Sequence, residues 1–84
     1  MVKEKEVGKV INFFEKPSVA VVKVFSKIKI GDKIRVKGIT SDFEQIIESM
    51  QIEHKNVEFV DAGQDVGLKV LEKVRLNDLV YLVE

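Results

Sequence analysis

The stretch "SDFEQIIESMQIEHKNV", residues 41–57, admits two folds. At helical spacing, Phe43, Ile46, Ile47, Met50 and Val57 fall toward one side, and Ser41 followed by Glu44 has the spacing of a capping box. As a strand, the stretch needs one extra residue near Ser49–Met50. Such a bulge shifts the two-residue alternation by one, so that Ile47, Met50 and Ile52 all turn inward. Periodicity taken alone favours the helix. The choice decides the fold class, because the segments on either side read as β-structure.

Short apolar runs separated by turn residues at regular intervals mark a small sandwich or barrel. Strands are predicted near 6–14, 19–25, 33–38, 66–71 and 79–83, broken by "EKPS" with the sole proline Pro17, "KIGDK", "GITSD", "DAGQD" and "RLND". In 33–38, Ile34 and Val36 share one face while Lys33, Arg35 and Lys37 share the other, the pattern of a strand packed on one side and wet on the other. "VAVVKVF" at 19–25 differs: Ala20, Val22 and Val24 oppose Val19, Val21, Lys23 and Phe25. Apolar residues on both faces predict a strand covered on both sides, with something packed outside it.

Eighty-four residues make one domain, 1–84, that buries roughly 60–65% of its unfolded surface and has little room for a deep catalytic cavity. A composition of 45% hydrophobic and 33% charged residues is globular. The longest apolar run, "VAVV", is too short to cross a bilayer, and "MVKEKEVGK" does not read as a secretory leader, so a cytoplasmic protein is expected. Cysteine is absent, which removes disulfides and thiolate metal sites. Formal net charge is zero, so RNA binding requires a local basic patch.

Few residues offer chemistry. His54 is the sole histidine, so neither a His-paired metal site nor a histidine-based triad assembles from a second one, and it reads as a polar strand-end residue. The pairs Glu4/Glu6, Glu44/Glu48 and Asp61/Asp65 lack a cleft to raise a carboxyl pKa and read as solubilising. Gly63 and Gly67 in "DAGQDVGLKV" do not form a phosphate loop, because that motif continues Gly-Lys-Ser/Thr into a helix, whereas Leu68 and a strand pattern follow here. They read as a turn and a strand entrance. Lys33, Arg35 and Lys37, with Lys23, Lys27 and Lys29 nearby in sequence, are the one basic concentration, able to track a phosphate backbone or to form cross-strand pairs with Glu44 or Glu48. Phe13, Phe14, Phe25 and Tyr81 are expected mostly in the core.

In order and spacing, "KIKIGDKIRVKG" (27–38), "SMQIEHKNVEFVDAGQDVGLKV" (49–70) and "KVRLNDLVYLV" (73–83) together resemble the second domain of translation elongation factors of the Tu class. The resemblance implies an all-β fold, a small closed barrel of six to seven strands, with 42–53 extended. It implies a stand-alone barrel without the GTPase domain, since no phosphate-loop motif occurs in the chain. Asn77 stands where that family carries glycine, and asparagine also visits the left-handed region. The family holds the aminoacylated end of transfer RNA, and carried over by position its contacts become Gln51, His54 and Asp65; Asp65 replaces a neutral amide with a group that repels phosphate. The expected function is a non-catalytic module binding transfer or ribosomal RNA, without cofactor or metal, through these residues or through Lys33, Arg35 and Lys37. The rival is a protein-interaction module that docks on a peptidase-like or RNA-modifying enzyme or self-associates, because similar barrels are appended to such enzymes.

Overall fold

Within 42–53 the chain forms strand at Asp42–Ile46 and Met50–Ile52, Glu53 enters a turn, and no helix forms. The computed structural model describes residues 3–84. In it, Phe43, Gln45 and Ile47 point inward at every second position, then the alternation slips by one across Glu48 and Ser49, and Met50 is again buried. The extra residue of the strand reading is therefore present, one step earlier than expected. The price of that geometry is visible at Ile46, which a helix would have buried and which is instead 47% exposed while Gln45 is 7% exposed. Pairing partners, absent from any local pattern, outweigh helical periodicity here.

Among the described residues ten strands follow in order: β1 Glu4–Phe14, β2 Val19–Val24, β3 Ile28–Lys29, β4 Lys33–Lys37, β5 Asp42–Ile46, β6 Met50–Ile52, β7 Lys55–Asn56, β8 Phe59–Val60, β9 Asp65–Lys69 and β10 Leu79–Val83. Eight pair antiparallel in the order β5-β4-β10-β1-β2-β9-β6-β7, and β3 with β8 makes a separate two-stranded sheet. The all-β expectation holds. Among the described residues the hydrogen-bonded ladder ends at β5 and β7, and β5 and β6, Asp42–Ile46 and Met50–Ile52, are successive stretches of one chain segment that pair with β4 and β9 respectively. Gln45 ties β5 to the chain at the end of β9. Its side-chain amide donates to the Lys69 carbonyl at 2.9 Å and its oxygen accepts the Leu71 N–H at 2.9 Å. Ile47 is fixed by exchange with the chain before β4: Gly31 N–H donates to its carbonyl, and its own N–H donates to Asp32.

The core is aliphatic. Val7, Val10, Val22, Val24, Ile34, Val36, Ile47, Met50, Val66, Leu68 and Val80 are essentially inaccessible. Each buried side chain of this size contributes about 1.5–3 kcal/mol relative to exposure. Among the described residues Phe43 is the one buried aromatic, and this corrects the expectation for the others: Phe13 and Tyr81 are partly buried, while Phe14 and Phe25 are exposed. In a sheet this small the pleat leaves room between facing strands for branched aliphatics, and the rings are displaced to the rim. Among the described residues, no helix is long and apolar enough to cross a membrane.

Candidate functional site

Gly63 takes φ +90° in the turn before β9, a conformation that favours glycine, and Gly67 lies inside β9 opposite Val21 of β2 and Gln51 of β6. The two glycines thus shape a turn and a strand. Asn77, at φ 74°, takes the left-handed conformation anticipated for it.

Gln51, His54 and Asp65 come together. They line a groove of about 530 Å³ on the outer surface of β2, β9 and β6, with Glu53, Gln64, Ile52, Val19 and Val21 completing its wall and floor. Val19 and Val21 are half-buried, the outward apolar residues of the two-sided strand. Glu53 and His54 form the tip of the β6–β7 hairpin, with φ 50° and 65°. Positive φ at both central positions matches the twist of a two-residue hairpin but is unfavourable for side chains other than glycine, asparagine or aspartate. Gln51 Nε2 donates to Asn56 at 3.0 Å and so orients the amide at the groove rim.

Lys33, Arg35 and Lys37 lie elsewhere, on the outer face of β4, and each is matched by a carboxylate. Lys33 pairs with Glu44 at 3.1 Å, as foreseen. Arg35 bonds Asp42 at 2.8 Å and Glu4 at 3.0 Å, and Lys37 bonds the same Glu4 at 2.9 Å. Three cations face three carboxylates, so the row carries no net charge toward a phosphate backbone. Sequence reasoning missed Glu4 and Asp42. Asp42 faces Lys37 directly across β4 and β5, whereas Glu4 reaches the row over β10, which lies between β1 and β4.

Hydrogen bonds from Lys37 and then Arg35 hold the Glu4 carboxyl below its ordinary value, the Arg35 hydrogen bonds do the same for Asp42, and those of Asp42 and Glu4 raise the Arg35 guanidinium further. A carboxyl depressed in the folded state adds stability above its unfolded pKa and loses it as pH falls through the folded value. The unfolded references are 4.5 for Glu4 and 3.8 for Asp42, so this stabilisation is expected to disappear as pH drops below 4.5. Urea midpoints measured across that range should fall less steeply for Glu4→Gln/Asp42→Asn than for the unaltered chain; parallel curves would show that the network adds nothing measurable.

No family model matches the chain. It is 44% identical over 80 residues to an uncharacterized protease of Methanocaldococcus jannaschii, and 36% identical over 77 residues to a collagenase of Porphyromonas gingivalis. These alignments take in 94% and 89% of this chain but 20% and 21% of the relatives, so the chain spans about a fifth of their length. A solved structure, the C-terminal domain of a "putative U32 peptidase" of Geobacillus thermoleovorans, superposes with a TM-score of 0.87 over 93% of this chain and 91% of that one at 20% identity. The selenomethionine variant of the same domain gives 0.86.

The fold is that of a U32 peptidase C-terminal domain. The resemblance to the second domain of Tu-class elongation factors is thereby corrected: the relatives are a protease and a collagenase, and the translation-linked reading goes with it. The glycine turns and strand spacing that suggested it are requirements of backbone geometry, which chains of other descent also meet. The groove residues stand independently of that resemblance, since their assembly is a property of this structure.

Proposed function

We propose that this domain is a non-catalytic accessory module of a U32-type, peptidase-like enzyme, joined to or docked on the region that carries the chemistry. The observation that carries this reading is the alignment itself: nearly the whole of this chain corresponds to one fifth of a protease, and to a C-terminal domain that was crystallised by itself. The groove supports it. Its lining includes one histidine, two carboxylates and two amides, with no serine, threonine or cysteine beside His54 to serve as nucleophile.

The test is a chimera in which this chain replaces the matching segment of the Methanocaldococcus jannaschii protease. Deleting that segment should lower the melting temperature of the remaining region and open it to limited proteolysis, and the chimera should restore both, with nuclease treatment making no difference. A chimera as labile as the deletion would overturn the accessory reading.

A further inference from the structure

We infer that the groove over β2, β9 and β6 receives the lysine or arginine side chain of an extended peptide segment from a protein partner. This deepens the accessory-module reading, which supplies the source of the peptide but not the chemistry of the groove. The first observation is the floor. Ala20, Val22 and Val24 of β2 belong to the core, yet Val19 and Val21 on the other face are also apolar, and nothing in the described chain covers them fully. Gly67, beside Val21 and Gln51, keeps the floor low; a Cβ there would come within 3.2 Å of Val19 Cγ1.

The second observation is the sign of the rim. Asp65 and Glu53 contribute carboxylates, and no lysine or arginine lines the groove. Lys23 faces Asp65 across the β2–β9 pair but forms no ion pair among the described residues. Gln51 commits its amide nitrogen to Asn56, and its carbonyl oxygen accepts no hydrogen bond among the described residues. An apolar floor beside carboxylate and carbonyl acceptors fits a side chain with an aliphatic stem and a cationic donor head, which lysine and arginine alone combine. A phosphate or an acidic side chain would meet two like charges.

The experiment is an amide-resolved NMR titration of the chain with acetyl-Ala-Val-Arg-Val-Ala-amide, the citrulline and glutamate analogues, and pentauridylate. The arginine peptide is expected to shift Gln51, His54, Asp65 and Gly67. Citrulline should bind at least about threefold more weakly, Asp65→Asn should weaken the arginine peptide about three- to tenfold, and Lys23→Ala should tighten it. Both substituted residues are exposed, so the same spectra verify the fold. The inference is overturned if citrulline binds as well as arginine, if Asp65→Asn changes nothing, if no peptide shifts these amides, or if pentauridylate or the glutamate peptide occupies the groove. The chimera reports on the peptidase region and leaves the groove intact, so failure of one test is distinguishable from failure of the other.

Discussion

Gln45→Leu is expected to lower the stability of this domain by about 2–4 kcal/mol, seen as a lower urea midpoint at unchanged m-value. Leucine is close to glutamine in size and more apolar, so composition alone would rank the exchange as mild or stabilising. The structure reverses that expectation. Gln45 supplies the amide that satisfies the Lys69 carbonyl and the oxygen that satisfies the Leu71 N–H, and both bonds are part-buried. Leucine leaves two backbone groups unpaired beneath the surface, at about 1–3 kcal/mol each, offset in part by the added apolar burial. Gln45→Glu separates the two bonds: its carboxylate can still accept from Leu71, but it offers no donor to Lys69 and adds a poorly solvated charge. It should fall at least as far as the leucine variant at neutral pH and recover toward acid, where protonation restores a donor. If Gln45→Leu loses less than about 0.5 kcal/mol, solvent satisfies the β5–β9 seam and the side chain is not its bridge.

Gln45 also shows what was legible in the sequence and what was not. The strands at 33–37 and 79–83 could be read closely because alternation of charge with Ile34 and Val36, or an unbroken apolar run, is a local signal. In 42–46 one of the two inward residues, Gln45, is polar and its outward neighbour, Ile46, is apolar, so a count of hydrophobic positions pointed to a helix. Polarity at an inward position carries information only once its two backbone partners, 24 and 26 residues downstream, are known. Strands β3, β7 and β8 have two residues each, shorter than one full alternation, and no periodic reading could detect them. The groove was half legible: "VAVVKVF" shows an apolar outer strand face, but its neighbours Gly67 and Gln51 follow from strand order. Kinship was read wrongly because turn glycines report backbone geometry, not descent.

Gly38→Ala is expected to destabilise by about 2–3 kcal/mol, and Asp78→Ala by about 1.5–2.5 kcal/mol, yet the double variant should fall well short of their sum. Asp78 is buried, with one carboxylate oxygen accepting the Arg75 N–H at 2.9 Å, and its backbone carbonyl accepts from Val10 on β1. Gly38 closes β4 against that carboxylate, so near that any Cβ at position 38 would overlap an Asp78 oxygen. Swinging the carboxylate aside would open the space, but it would also withdraw the acceptor from Arg75 N–H. Alanine at 38 therefore imposes either a clash or a broken turn. Once Asp78 is alanine, the turn bond is already lost and the space is free, so alanine at 38 should add little. Additivity within about 0.3 kcal/mol would mean that the two positions are independent and that Gly38 is required by its backbone alone. A coupling above about 1 kcal/mol would show that the turns at 38–41 and 75–78 are held by one carboxylate, making this end of the sheet a single unit that opens together when Asp78 is removed.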